Sequence, residues 1–374
     1  MNPAIACRIP LVRRPKPPGM PLDKRIAELT ALVESDGADH HERVARACGV
    51  LNFAALIASD TGMPDLAADL CWRQHRVFAG AGSLEQDIAV MALMPVVNIA
   101  RLLIREGDGD GAFEVLQRLY RAAQQRGTAL IRGHDVDLSP WIRTDADHRK
   151  LCEELWVALL IDGARALARG GRWTAAAATM AAHHGIGNRL LDGRQIKIMS
   201  LLEQGLHQQA TEMIDSTAPD EPWENTVAAI LRIYCRPDPS LAPEQEIDQV
   251  VRETLTLIAE PEPMTAAFRA RLGLTAFDLT ADRSTPCAAD LRAAVIDVAS
   301  GDAYAARDVL DHPVMRSRMT HRQEEVLTAV LAASGLGAGV LPADHMDAVT
   351  AAVHAAEERL RVLLKQPSLG LTGA

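Results

Sequence analysis

From Leu22 onward the apolar residues recur three and four positions apart, broken only at glycine, proline or aspartate clusters every 12 to 25 residues or so. That period lines one face of a helix, whereas a strand needs strict alternation. It predicts helices over 22–35, 38–60, 63–79, 84–106, 109–126, 148–169, 172–183, 189–204, 206–217, 222–236, 243–259, 263–281, 287–299, 302–311, 320–334 and 343–366. No persuasive strand is left between them. Aromatic residues make up only 3% of the chain, so its core has to come from helices that pack closely through alanine and leucine. The expected fold class is all-α: stacked antiparallel helix pairs whose short links make sequence neighbours spatial neighbours.

Five junctions share one arrangement, in which alanine or leucine ends a helix, glycine turns the chain and an alanine-bearing helix follows. They run from Ala58 through Gly62 to Ala67, from Ala100 through Gly107 to Ala112, from Ala166 through Gly171 to Ala175, from Leu201 through Gly205 to Ala210, and from Ala294 through Gly301 to Ala305. The reason is steric: such a turn favours a residue that accepts positive φ, and paired helices approach closely only where side chains are small. The segment GARALARGGRWTAAAA (163–178), with Trp173 after the turn, and LLEQGLHQQATEMI (201–214) place their glycines at 171 and 205, a spacing of 205 − 171 = 34. This region resembles tetratricopeptide-type helical repeats. The resemblance implies an α-solenoid with a concave surface that holds an extended peptide or a partner's helix.

The sequential blocks expected are a flexible proline- and arginine-rich arm at 1–21, N-terminal helical repeats at 22–147, central tetratricopeptide-like repeats at 148–236 and C-terminal helical repeats at 237–374. The arm contains six prolines with Arg8, Arg13, Arg14 and Lys16, which blocks helix and sheet alike. Such a segment is either a loose tail or an arm laid on an acidic surface, the protein's own or a partner's. The net charge of 39 − 49 = −10 argues against direct nucleic-acid binding, which needs a clustered basic excess. Six scattered cysteines without a close pair, no apolar leader and no uninterrupted apolar run of about 18 residues suggest a cytoplasmic chain with no membrane span and no disulfide framework.

Chemistry-bearing segments are few. The linker 127–147 departs from helical periodicity and carries His134, Asp135, Asp137, Asp145 and Asp147, with His148 beyond it. Its spacing fits no fixed metal cage, and helix capping by Asp147 is the simpler account, so no metal or other cofactor is expected. EGDGDG (106–111) lacks the ligand pattern of a calcium loop. The densest polar passage is HHGIGNRLLDGRQIK (183–197), where Asn188, Asp192, Gln195 and Met199 follow helical spacing and Arg189 stands three residues before Asp192. That stripe is a candidate binding face, with Asn188, Arg189, Asp192, Arg194, Asn225 and Arg232 as its expected contacts and arginine suited to forked recognition of carboxylates or carbonyls. In HPVMRSRMTHRQEE (312–325), Thr320 and Gln323 have capping-box spacing.

The function expected is therefore non-catalytic binding of a peptide or partner protein by a helical-repeat scaffold. The stretch 148–236 is also similar to the helical sensor regions that follow a DNA-binding unit in many bacterial regulators. Because 1–60 holds a proline arm and long helices instead of that unit, the similarity implies a co-regulator acting through a partner. A further resemblance, to the non-zinc cyclases of lanthipeptide systems, implies a cyclase or lyase, or a subunit of one, acting on a ribosomally synthesised precursor peptide. In that role His134 or His184 would be the base beside a positioned thiol.

Overall fold

The computed structural model describes residues 3–34, 37, 39–280 and 286–366, so the expected helix limits at 35, 38 and 281 lie outside the described residues. The fold is all-α, with helices packed in pairs and one two-stranded sheet among the described residues. Packing divides the chain into two compact units, each assembled from separated segments. One is Leu22–Ala166 with Gly335–Ala374, and the other is Met1–Pro21 with Leu167–Ser334. These units cut across the sequential blocks 22–147, 148–236 and 237–374.

In the first unit the helices Leu22–Glu34, His40–Asp60, Pro64–Ala81, Gln86–Glu106 and Gly109–Gln124 each pack on the next, and the last helix, Ala343–Lys365, returns to cover the first three. Helix Gln86–Glu106 has the length and mean hydropathy (1.9) of a membrane span, but 61% of that stretch is buried within the protein, so it serves as a core helix. Asp60 organises the end of its helix. Its carboxylate accepts from Arg25 Nη2 at 2.9 Å and Arg105 Nη1 at 2.6 Å, while its main-chain oxygen accepts from Gly337 N at 2.8 Å. The returning helix is held in the same way, since Glu357 receives Arg73 Nε at 3.1 Å and Nη2 at 2.8 Å.

The linker expected to be without strands holds a hairpin, β1 (Thr128–Ile131) and β2 (His134–Asp137), paired antiparallel with Ala129 opposite Val136. Arg132 and Gly133 make the two-residue turn with φ of 49° and 82°, and the inward residues Ala129, Ile131, Val136 and Leu138 are buried. The helix expected from 148 begins at Asp145: Thr144 is its N-cap and Asp147 closes a capping box, so Asp147 is the third helical residue and not the cap.

The second unit stacks Trp173–Ala182, Asp192–Glu203, His207–Asp215, Pro222–Tyr234, Glu244–Ile258, Ala266–Thr280, Pro286–Ser300, Ala303–Leu310 and His321–Ser334, each touching the next in this order. From Pro222–Tyr234 to Ala303–Leu310, alternate helices also touch, an order compatible with a helical repeat. The expected junction chemistry holds at Gly62, Gly107, Gly171 and Gly205, whose φ values are 81°, 88°, 73° and 73°. Gly301 has no positive φ. Its turn is closed instead by Asp302, which caps Ala303–Leu310 by accepting from Ala305 N at 2.8 Å.

Two stability predictions follow from the first unit. Replacing Asp60 with Asn leaves the buried Arg25 guanidinium without its counter-charge, so denaturant unfolding is expected to show a loss of about 3–5 kcal/mol. A loss below about 1 kcal/mol would show that the pair is not structural. His75 is 5% exposed, has ring contacts to Trp72 and Trp141, and leaves Nδ1 without a hydrogen-bond partner. Burial, reinforced by His134 and Arg76, pulls its pKa down to about 4 from 6.5. Between those values the unfolded chain binds the proton and the native one does not, so stability drops as pH falls through this window, by up to about 3 kcal/mol. Urea unfolding at stepped pH checks this: His75→Phe should flatten that part of the acid limb.

Candidate functional site

Contrary to the expectation that proline blocks any helix in the arm, Pro3–Ala6 forms one helical turn, proline being tolerated at a helix start; beyond it the arm has no helix or strand, and its main-chain polar groups need other partners. In the second unit they find them on other segments. Gln195, fully buried on helix Asp192–Glu203, turns its side-chain amide to Leu11: Oε1 accepts from Leu11 N and Nε2 donates to Leu11 O, both at 2.8 Å. This reproduces the pairing a neighbouring strand would offer. A second bond from Nε2, to Leu190 O at 2.7 Å, fixes the amide's orientation. Further along, Lys16 N donates to Met264 O at 2.7 Å, Gly19 N donates to Asp302 Oδ2 at 2.8 Å, and Ala303 N donates to Gly19 O at 3.0 Å. Ile5, Ile9 and Leu11 are buried beside these contacts at 2%, 1% and 2% exposure. Of the readings open from sequence, a loose tail or an arm laid on an acidic surface of the protein or of a partner, the structure has the arm on carboxylates of its own unit.

The arm's three arginines meet carboxylates one for one or better. Arg8 pairs with Asp278, Arg14 with Asp192, and Arg13 reaches both Glu260 at 2.7 Å and Glu262 at 2.8 Å. Lys16 Nζ stands 3.2 Å from the centre of the Tyr304 ring, a cation–π contact. Asp278 is oriented from its other side by His312, whose Nδ1 accepts from Met315 N at 3.1 Å, which leaves Nε2 to donate to Asp278 Oδ1 at 2.9 Å. Beside the arm's first residues lies a cavity of about 350 Å³, whose lining includes Ile5, Leu202, Tyr234, Arg236 and Asp278. Chemically this arrangement is a seat for an extended cationic chain, gripped by main-chain bonds and acidic side chains.

The residues expected at a binding face are placed differently. Asp192 and Gln195 point inward to the arm, and Met199 is buried, so this stripe faces no open groove. Arg189 does not pair with Asp192. It binds Glu224 through Nη2 at 2.6 Å and Nε at 3.1 Å, and it reaches Asp220 and Glu221 at 3.1 Å each. Glu224 is buried, which raises its pKa, but Arg189 and the N–H groups of Asp220, Leu190 and Glu221 outweigh that and hold it low. Arg194 is buried and spent on its own surroundings, donating to Gly187 O, Met213 O, Ser216 Oγ and Thr217 Oγ1. Asn188 and Asn225 are exposed, and Arg232 is exposed and paired with Asp215 at 2.8 Å.

His134 and His184 belong to different units. His134 stacks on Trp72 with ring centres 3.9 Å apart, and His184 is an exposed residue with φ 55° after helix Trp173–Ala182. In the 127–147 segment, Asp137 accepts from Ser139 and Asp145 pairs with Arg126. Among the described residues no three His, Cys, Asp or Glu side chains gather as a metal set. Thr320 and Gln323 form their expected reciprocal cap.

Asp278, Glu260, Glu262 and Asp302 were not selected from sequence. The acidic run EPEP at 260–263 is a legible counterpart to a basic arm, but nothing local ties 13 to 260. No protein-family model, curated protein or solved structure matches this chain. If Gln195 secures the arm, Gln195→Ala strips partners from Leu11 and Leu190 together, and trypsin cleavage at Arg13–Arg14 in the otherwise folded protein should accelerate about tenfold or more. An unchanged cleavage rate removes Gln195 from that role.

Proposed function

We propose that this chain is a non-catalytic helical-repeat scaffold, working in the cytoplasm, that binds an extended segment of a peptide or partner protein at the arm seat of the Leu167–Ser334 unit. The observation that carries this reading is the Gln195 amide on Leu11, because it addresses main-chain groups that every extended peptide presents. The helical stacking supports it by bringing side chains from separate helices to one track. The resemblances imply two settings for such a scaffold, precursor-peptide modification and transcriptional co-regulation.

The test uses the full chain with its arm loosened by Arg8→Gln, Arg13→Gln and Arg14→Gln, its fold checked by circular dichroism. It is titrated by fluorescence anisotropy with a labelled peptide of residues 5–20, and with the same peptide carrying glutamine at its four basic positions. Saturable binding of at least one peptide is expected, weakened about tenfold when Gln195→Ala is added. If neither peptide binds a folded protein, the proposal fails.

A further inference from the structure

We infer that residues 8–19 are an intramolecular stand-in for the partner, and that the partner's segment is of the same chemical class: extended, proline-spaced and arginine-rich, with aliphatic side chains at the Ile9 and Leu11 registers. This rests on the peptide-binding reading above and adds the ligand's chemistry and its competition with the arm.

The first argument is charge. The arm holds three arginines, one lysine and no acidic residue, so it carries +4, and the rest of the chain carries −10 − 4 = −14. Lifting the arm takes an arginine from Asp192, Glu260, Glu262 and Asp278 at once. Asp192 is only 4% exposed, so a neutral segment in place of the arm would take an arginine away from a buried carboxylate. A basic segment would not. At the Arg14 register the guanidinium fork reaches both oxygens of Asp192, and at the Arg8 register both Nη atoms converge on Asp278 Oδ2, two-nitrogen contacts that a lysine makes less well.

The second argument is geometry. Ile9 and Leu11 are both buried, one on either side of Pro10, and Leu11 turns its main-chain N–H and C=O to the Gln195 amide. Selectivity thus comes from the arginines and aliphatic anchors, and grip from the main chain. The third argument is tethering. Because the arm is covalently attached, its effective concentration at the seat is high, and a partner must outcompete it. The outer contacts are the weaker ones: Arg13, Glu260 and Glu262 are 24%, 43% and 46% exposed and therefore screened by salt, so release starts there.

The same labelled peptides distinguish this inference from the reading beneath it. The arm-loosened protein is expected to bind the basic peptide about tenfold or more tightly than the wild-type protein does. It should likewise prefer the basic peptide to its glutamine version by about tenfold, with affinity falling as salt is raised. Equal binding of the two peptides to the loosened protein would overturn the ligand class while leaving peptide binding standing. Equal binding of the basic peptide by loosened and wild-type proteins would overturn the competition. A doubled mass for the wild-type protein by light scattering, lost in the loosened variant, would assign the seat to arm exchange between two copies and overturn the partner assignment.

Discussion

Close approach between helices is the constraint on which this fold depends. With few aromatic rings available, contact faces are built from alanines such as Ala58, Ala89, Ala112, Ala176, Ala270 and Ala305, all fully buried. Each removes little area from water itself, and its small side chain leaves room for the buried leucine, isoleucine and valine side chains of neighbouring helices to meet in dispersion contact. The candidate site inherits this. A side chain at Gly193 would place its Cβ 2.1 Å from Gly185 O, so glycine there lets helix Asp192–Glu203 lie against the preceding turn and carry Asp192 and Gln195 to the arm.

The second organising feature is the pairing of buried acids with arginine. Asp60, Asp192, Glu224 and Glu357 are all under 9% exposed, and each meets at least one guanidinium. Arginine suits this use because it stays charged and its fork spans both carboxylate oxygens. An acidic chain can thereby keep carboxylates inside, at the cost of strict dependence on each partner. The same chemistry that closes the first unit around Asp60 holds the arm in the second.

Helical periodicity is a local property, which is why the helices, their glycine turns and the Thr320 cap were readable from sequence. The hairpin was also readable in principle, since Ala129, Ile131, Val136 and Leu138 alternate around an Arg-Gly turn. A short alternation among helices was outweighed by the polar residues of that linker. The site was only half legible. Helical spacing correctly joined Asp192 and Gln195 on one face, but spacing cannot say whether a polar face looks toward solvent or toward another part of the chain. Here a segment about 180 residues earlier covers it, and Arg189 and Arg194 are drawn away by groups that lie near them only after folding.

Neither unit is contiguous, and this has a consequence during synthesis. The arm leaves the ribosome before the helices that hold it, and its anchors run as far as Ala303 and Tyr304. At about 5–20 residues per second, Ile9 and Leu11 travel on a nascent chain for some 15–60 s before their seat exists. The other unit waits longer still, because Glu357 is made after Tyr304. Until its anchors emerge this segment therefore exposes aliphatic and basic residues with nowhere to settle, a period in which chaperones have access to it.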